Sequence, residues 1–210
     1  LGRTDEQVSS VSLGAWPIGG PNMAGPRSVG WTGHDDELAL RALHAAWDAG
    51  IRHWDTADVY GNGHSERLIG RALDSIPRDD IFLATKFGWN PGDGGHVYDP
   101  RVMRETLERS LKNLGTDRVD LYYLHHCNFG DGDEHLEGAV ETARAFLREG
   151  KTRYLGLSDW DSAAVMRVIE SVDPDVVQVF RTVLEDGFTD SGLQDHVAAH
   201  DVGTVFFSPL

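Results

Sequence analysis

Short apolar runs alternate with helix-period segments along nearly the whole chain, and this alternation limits the fold more than any other feature. Strand-like runs begin near residues 8, 51, 81, 119, 153, 176 and 202. A helical pattern follows each of the first six. The clearest is the apolar stripe of residues 103–114, which opens after Asp99-Pro100 and closes at Gly115. Strands joined by helices run parallel, so residues 1–210 are predicted to form a single α/β domain.

Two α/β architectures fit this alternation, an open doubly wound sheet and a (β/α)8 TIM barrel. The chain supplies seven predicted strands and six predicted helices before Leu210. A full barrel needs one more strand and two more helices, so a barrel here is expected to be incomplete. In both folds, functional side chains are expected at the carboxyl ends of the strands.

Charge and composition argue against several classes of partner. The chain has 19 Lys and Arg against 34 Asp and Glu, and its net charge is −15. A charge of this sign does not favour nucleic-acid phosphates or anionic membranes. No apolar run approaches the ~20 residues of a membrane span, and no signal-peptide pattern is seen. The one cysteine, Cys127, cannot form an internal disulfide, so a cytoplasmic protein is predicted.

Four polar residues stand at or just after the predicted ends of three consecutive strands. They are Asp55, Tyr60, Lys86 and His125. A lysine that closes a buried strand needs a partner, because an unpaired buried ammonium is costly, and Asp55 is the available carboxylate. Each residue alone has an ordinary structural explanation, such as a turn cap or a core side chain. The four together predict a catalytic site.

Longer motifs around these residues make the chain resemble the aldo-keto reductase superfamily. The motifs are Leu1-Gly-Arg-Thr, Ser12-Leu-Gly-Ala-Trp16, Asp55-x-Ala57-x-x-Tyr60-Gly61, Thr85-Lys86-Phe87, Leu111-x-x-Leu114-Gly115-x-Asp117-x-Val119-Asp120-Leu121-x-x-Leu124-His125, Gly150-Lys151-x-Arg153-Tyr154-x-Gly156-x-Ser158, Val177-Gln178 and Phe207-Ser208-Pro209-Leu210. The resemblance covers nearly the whole chain. It implies a TIM barrel that reduces an aldehyde, ketone or sugar carbonyl with a nicotinamide cofactor, usually NADPH, with NADH as the alternative.

The resemblance also implies the catalytic roles. Tyr60 would protonate the alkoxide that develops as hydride reaches the carbonyl carbon. A free phenol, with a pKa of about 10, is a slow acid at neutral pH, and the Lys86 ammonium is expected to lower that pKa. Asp55 would keep Lys86 charged, and His125 would hydrogen-bond the carbonyl oxygen. Relatives that reduce carbon–carbon double bonds carry Glu at this position, so His125 favours carbonyl reduction.

The cofactor-binding residues that the resemblance implies are Asp55, Ser158, Asp159, Gln178, Arg181, Ser208 and Leu210. Two of them depart from the family pattern. Asp159 replaces the usual Asn at the nicotinamide carboxamide, and Arg181 replaces the usual stacking aromatic. A guanidinium can stack and can also pair with a carboxylate, so an Asp159–Arg181 pair is expected to compensate for both changes. The family's segment for the adenosine 2′-phosphate falls beyond Leu210.

Aromatic and polar residues after other strands are candidates for the substrate pocket. They are Trp16, Trp89 and Asn128, with Trp160 as a further candidate. No metal site is predicted, because His125 and Cys127 share a face without a further ligand. Cys127, near the pocket, is expected to be sensitive to oxidation.

Two other functions remain open. Potassium-channel β subunits share the fold and the bound nucleotide but act mainly as redox-sensing regulatory subunits. The presence of all four catalytic residues, the tetrad, does not exclude such a role. A cofactor-independent isomerase or lyase on the same barrel requires the tetrad similarity to be accidental. The predicted partner of an enzyme is a small-molecule carbonyl compound, and no oligomeric state is predicted.

Overall fold

The computed structural model describes residues 1–24, 27–89 and 95–208, and parallel strands dominate it. In chain order the strands are β1 (Leu13–Gly14), β2 (Met23–Ala24), β3 (Arg27–Ser28), β4 (His53–Asp55), β5 (Phe82–Phe87), β6 (Val119–Leu124), β7 (Thr152–Asp159), β8 (Val176–Phe180) and β9 (Gly203–Phe207). Seven of these strands form one curled parallel sheet, while β2 and β3 pair with each other as a small antiparallel hairpin.

The order of the strands distinguishes between the two predicted architectures. Neighbours in the large sheet run β1-β4-β5-β6-β7-β8-β9, and every neighbouring pair is parallel. A doubly wound sheet reverses its strand order at a switch point, whereas a barrel adds each new strand on the same side. The sequential order therefore confirms an incomplete (β/α)8 barrel.

Helices alternate with the strands of the large sheet. They are α1 (Asp36–Asp48), α2 (His64–Leu73), α3 (Pro100–Leu114), α4 (Leu136–Arg148), α5 (Ser162–Val172), α6 (Gly187–Asp190) and α7 (Leu193–Ala199). The ends of α3 follow its sequence signals. The Asp99 side chain accepts a hydrogen bond from the backbone N–H of Arg101, and Gly115 ends the helix with a left-handed φ of 64°. Within the described residues, every helix is too short or too polar to cross a membrane.

Two apolar cores lie on opposite faces of the sheet. The larger core packs the helices onto the outer face and includes Trp54, Tyr122 and Leu124. The smaller core fills the inside of the curl with Phe82, Ala84, Leu121, Tyr123 and Val176. From Leu121 to Leu124, successive residues of β6 alternate between the two cores, as expected when successive side chains of a strand point to opposite faces. Because apolar side chains cover both faces of the sheet, the polar side chains lie at the strand ends.

Three predicted elements differ from the structure. The strand predicted over residues 8–16 is reduced to β1, and the hairpin of β2 and β3 lies where a loop was predicted. The helix predicted over residues 190–200 is the shorter α7, and its predicted first residue, Asp190, instead ends the separate helix α6. The Asp186 side chain caps α6 by accepting from the N–H of Thr189, and Gly192, with a φ of 79°, separates it from α7. A left-handed residue stops one helix, so a single long helix cannot form here.

Candidate active site

The Lys86 ammonium is the centre of the site, and it is almost completely buried. It donates to Asp55 Oδ1 at 2.5 Å, to the carbonyl oxygen of Thr56 at 3.0 Å and to the Tyr60 hydroxyl oxygen at 3.1 Å. An ammonium has three N–H donors, and each of the three is used here. The expected pair of Asp55 and Lys86 is present, and a full set of hydrogen bonds offsets the cost of burying the charge.

Close backbone packing holds the Tyr60 loop. Gly61 has a φ of +58°, and a Cβ at this position would lie 1.8 Å from the carbonyl oxygen of Gly19. A Cβ at Gly19 would lie 2.8 Å from the carbonyl carbon of Tyr60. The Tyr60 carbonyl also accepts from the N–H of Ser65 at 3.2 Å, next to the start of α2. The two glycines therefore allow a backbone contact that fixes the tyrosine beside Lys86.

The direction of the hydrogen bond at Tyr60 bears on its chemistry. Lys86 donates to the phenol oxygen, so the phenol proton remains available to donate elsewhere. Burial raises the pKa of Tyr60, Lys86 lowers it and Asp55 raises it again, and the net pKa lies above the usual value for tyrosine. The ammonium thus lowers this pKa as predicted, but burial of the phenol outweighs it, so the predicted net lowering does not occur.

The pKa values of Lys86 and His125 are shifted in opposite directions, upward for Lys86 and downward for His125. Burial alone lowers the pKa of Lys86, but Asp55 and Tyr60 outweigh burial, and the net pKa is raised. Burial lowers the pKa of His125 well below its usual value, and both Lys86 and His126 add to the effect. Lys86 is thus charged and His125 neutral at neutral pH.

The imidazole of His125 lies beside the Tyr60 phenol. The His125 ring meets the Tyr60 ring edge-on, with 5.9 Å between the centroids. Its Nδ1 is buried and has no hydrogen-bond partner among the residues that the structure describes. A neutral imidazole carries one N–H donor, so the site combines a phenol donor after β4 with an imidazole donor after β6, on either side of the end of β5.

Tryptophans flank this pair of rings. Trp16 stacks on Tyr60 with centroids 5.9 Å apart, and Trp89 meets the His125 ring edge-on at 6.1 Å. The structure therefore brings both of these predicted pocket residues to Tyr60 and His125. Trp31, which was not predicted, extends the same wall by packing edge-on against Trp16 at 5.9 Å. Trp31 lies after β3, in a segment whose sequence pattern does not indicate where its side chains are placed.

The other two predicted pocket residues lie elsewhere. Asn128 Oδ1 accepts from the N–H of Gly130 at 3.3 Å, within its own turn. Trp160 packs on Phe207 with centroids 4.7 Å apart and on Phe180 at 5.5 Å, near the ends of β9 and β8. Their role in binding a substrate remains a prediction.

Gln178 connects the next two strands to the Asp55 carboxylate. Its Nε2 donates to Asp55 Oδ2 at 2.9 Å, and Ser158 Oγ donates to Gln178 Oε1 at 3.4 Å. Ser158 and Gln178 are both buried. Asp55 thus accepts from Lys86 through one oxygen and from Gln178 through the other. Sequence reasoning assigned Gln178 to the cofactor and missed this bond, which joins positions 123 residues apart.

The predicted Asp159–Arg181 pair is wrong. The Asp159 carboxylate accepts from the backbone N–H groups of Cys127 at 2.7 Å and Asp161 at 3.0 Å. Arg181 instead pairs with Asp186 at 2.8 Å, a partner five residues along the chain. The guanidinium also lies over the rings of Phe188 and Phe206, at 5.2 and 5.1 Å from the centroids. Each group finds nearer partners than the other, so no pair forms between them.

Ser208 follows β9 with a left-handed φ of 52°, and Leu210 lies outside the described residues. Cys127 is 1% exposed, and burial together with Asp159 raises the pKa of its thiol. Oxidation requires an accessible thiolate, so the expected oxidation sensitivity of Cys127 is wrong.

Comparisons with known proteins agree with this geometry. The family model described as "Aldo/keto reductase family" matches residues 10–210. L-galactose dehydrogenase of Arabidopsis thaliana is 31% identical over 215 residues, covering 100% of this chain and 64% of the plant protein. An aldo-keto reductase of Schizosaccharomyces pombe whose name includes NADP(+) is 34% identical over 213 residues, covering 98% of this chain and 59% of the yeast protein.

A solved structure extends the similarity to the fold. The aldo-keto reductase of Bacillus halodurans in its holo form superimposes with a TM-score of 0.81 at 27% identity, covering 98% of this chain and 64% of that one. The chain therefore spans less than two thirds of the length of each of these three proteins.

Proposed function

The chain belongs to the aldo/keto reductase family, and on this premise we propose that the protein is an NAD(P)H-dependent oxidoreductase. It reduces a small aldehyde, ketone or sugar carbonyl to an alcohol. The observation that carries the proposal is the buried Lys86 ammonium, which bonds to both Asp55 and Tyr60 while His125 lies edge-on to the same phenol.

The residues beyond this centre fit a nicotinamide. A carboxamide needs a partner that donates and a partner that accepts, and the Ser158 hydroxyl and the Gln178 amide supply both. These two side chains are buried on neighbouring strands, and Ser158 bonds to Gln178, which in turn bonds to Asp55, so a ring held there lies next to the catalytic groups. Ser208 is proposed to bind the pyrophosphate. Contacts from Asp159 and Arg181 remain predictions, since both have other partners.

The bound nicotinamide supplies hydride to the carbonyl carbon. The residues of this chain act on the carbonyl oxygen. His125, held neutral, donates a hydrogen bond that orients and polarises it, and Tyr60 donates the proton that the developing alkoxide takes up. Lys86 stabilises the phenolate that is left behind, because its ammonium already points at the phenol oxygen. Asp55 keeps Lys86 charged and aimed. The raised pKa of Tyr60 keeps the phenol protonated for this role.

The wall beside Tyr60 bears on the substrate class. Trp16 and Trp89 are partly exposed aromatic side chains next to the proton donors, and such rings pack well on small apolar or sugar faces. The name of the plant relative, L-galactose dehydrogenase, supports a sugar within the proposed class. NADPH is the proposed cofactor because the name of the yeast relative includes NADP(+), and NADH is the alternative.

A binding and turnover experiment tests the proposal. Nucleotide binding is followed by fluorescence for NADPH and NADH, and turnover by the loss of NADPH absorbance with a panel of aldehydes, ketones and sugars. The Asp55→Asn variant is expected to bind NADPH but to turn over at least about 100-fold more slowly, because Lys86 loses its counter-charge. The matched control is Asp79→Asn, which changes an exposed carboxylate paired with Arg118.

The outcomes separate the candidate functions. Substrate-dependent NADPH oxidation that falls in Asp55→Asn and persists in Asp79→Asn supports the reductase. Nucleotide binding with turnover no faster in the unmodified protein than in Asp55→Asn contradicts the reductase and favours a nucleotide-binding regulatory subunit.

A further inference from the structure

Three side chains with metal-ligating atoms meet beside the Tyr60 loop, outside the catalytic centre. They are His34 in the segment before α1, Asp36 in the first turn of α1 and His64 at the start of α2. One ligand atom from each lies within 4.8 Å of the others. His64 Nε2 is 2.9 Å from Asp36 Oδ1, and the His34 and His64 rings meet edge-on with centroids 5.8 Å apart.

We propose that His34, Asp36 and His64 bind a divalent transition-metal ion, with zinc as the expected occupant and water in the fourth position. Two imidazoles and one carboxylate suit zinc and its neighbours, whereas calcium and magnesium prefer sites built from oxygen alone. A tetrahedral zinc site places its nitrogen and oxygen ligands about 3.4 Å apart. The histidine–aspartate pair is already within that distance, and the exposed His34 side chain can close the rest by rotating.

The surrounding charges favour a cation. Asp35 caps α1 and Glu37 lies in its first turn, so Asp36 stands between two further carboxylates. Arg71 brings a positive charge to this group: it pairs with Glu37 at 3.3 Å and contacts Asp36 at Oδ2, 3.6 Å away, while Oδ1 of Asp36 faces His64. The arginine and the ion can therefore share the carboxylate, one at each oxygen. An ordinary surface ion pair explains the bond of His64 to Asp36, but it does not explain why the His34 ring lies beside them.

The position of the cluster gives it a consequence for the catalytic loop. His64 is four residues after Tyr60, and the turn between them is the one that packs on Gly19. The ring of His34 lies against Gly20, where an added Cβ would be 2.9 Å from its Cγ. An ion held by both histidines would tie the loop after β1 to the turn that carries Tyr60. Metal binding is therefore expected to protect residues 20–34 from proteolysis.

Calorimetric titration of the untagged protein with zinc chloride, together with the absorption spectrum of the cobalt(II) form, tests the proposal. One ion is expected to bind per chain, with the strong visible bands of tetrahedral cobalt. His34→Ala and Asp36→Asn should each weaken binding at least about tenfold and reduce the cobalt bands. His34 is exposed and outside the catalytic centre, so its removal leaves the fold intact, which circular dichroism checks.

Two other histidine variants are the matched controls. His44 lies on α1 and bonds to the Leu40 carbonyl and to Ser75, while His200 stacks on His196, one turn earlier on α7. A stacked pair of this kind is where adventitious zinc would bind. His44→Ala and His200→Ala should leave zinc affinity unchanged. Zinc affinity that survives in His34→Ala, or that falls only in His200→Ala, overturns the proposal, as does the absence of saturable binding. Zinc protection of residues 20–34 that persists in His34→Ala counts against it equally.

Discussion

The site has two regions that are built differently. One is formed by the ends of β4, β5 and β6, and the other by the ends of β7, β8 and β9. The first region, called the catalytic side after the role proposed for it, holds Asp55, Tyr60, Lys86 and His125. The second region, called the cofactor side after its proposed role, holds Ser158, Asp159, Gln178, Arg181 and Ser208. On the catalytic side the ion pair is buried, and each partner has further hydrogen bonds. On the cofactor side the ion pair of Arg181 is about one third exposed and closes locally on Asp186.

This difference shows which region is organised by the protein itself. A buried ion pair is stable only when its geometry and its additional hydrogen bonds offset the loss of hydration, so Lys86 and Asp55 cannot shift without a large cost. An exposed pair is worth about 0 to 1 kcal/mol and can open when a ligand arrives. The catalytic side is therefore preorganised, while Arg181 is free to change partners. A side-chain hydrogen bond from Gln178 to Asp55 joins the two regions.

The largest effect is expected for Lys86→Met. Removal of the ammonium leaves the Asp55 carboxylate buried without its counter-charge, which should lower the free energy of unfolding by about 3–5 kcal/mol and abolish turnover. Urea denaturation measures the loss. Lys151→Met, which breaks exposed pairs with Glu108 and Glu149, should change stability by less than about 1 kcal/mol. Equal losses in the two variants would remove the distinction between buried and exposed pairs.

A second variant tests the backbone contact under Tyr60. Gly61→Ala places a Cβ against the Gly19 carbonyl at a left-handed φ of +58°, so both overlap and strain are expected. Gly50→Ala is the matched control, because Gly50 has a similar φ of +81° but open space around the added Cβ. Gly61→Ala should cost about 1–3 kcal/mol more than Gly50→Ala and should also reduce turnover. If the two glycine variants are equally stable and Gly61→Ala keeps full turnover, the close contact does not hold the loop.

The bond between the two regions predicts an energetic coupling. In a double-mutant cycle of Gln178→Ala and Asp55→Asn, unfolding free energies should couple by about 1.5–3 kcal/mol, the range for a hydrogen bond to a charged group. Gln178→Ala alone should lower kcat as well as raise the KM for NADPH, since Asp55 loses one of its donors. Additive losses, or a change in KM alone, would mean that Gln178 serves only the cofactor.

The smallest effect is expected on the cofactor side. Arg181→Ala and Asp186→Ala should show only weak coupling in unfolding free energy, since this pair is partly exposed. Arg181→Ala and Asp159→Ala should be additive, because the structure gives them separate partners. Strong coupling between Arg181 and Asp159 in NADPH affinity would show that the pair forms when the cofactor binds.

Sequence reasoning predicted the elements whose signals are local. The stripe of α3, with its cap at Asp99 and its stop at Gly115, lies within one short window of the chain. The paired residues Asp55 and Lys86 end neighbouring strands, so alternation and burial alone brought them together. The hairpin of β2 and β3 lies in a Pro- and Gly-rich stretch that is equally typical of a loop, and it was missed.

The features that sequence could not predict depend on contacts between distant segments. The bond from Gln178 to Asp55 spans most of the chain, and the approach of His34 to His64 depends on how the loop after β1 folds back. The pKa of Tyr60 depends on a balance between burial and the Lys86 charge, and only the packed structure sets how much burial there is. For Arg181, a nearby carboxylate and two rings outweighed the partner inferred from family positions.

The role of Tyr60 as proton donor is tested most directly by Tyr60→Phe, which removes only the hydroxyl. NADPH affinity should stay within about twofold, while kcat for carbonyl reduction should fall by about 100- to 10,000-fold. The matched control is Tyr154→Phe. It removes a hydroxyl that bonds to Thr4 and Glu6 near the start of β7, away from the site, so this variant should keep full turnover. Carbonyl reduction by Tyr60→Phe at the rate of Tyr154→Phe would contradict the assignment of the proton to Tyr60.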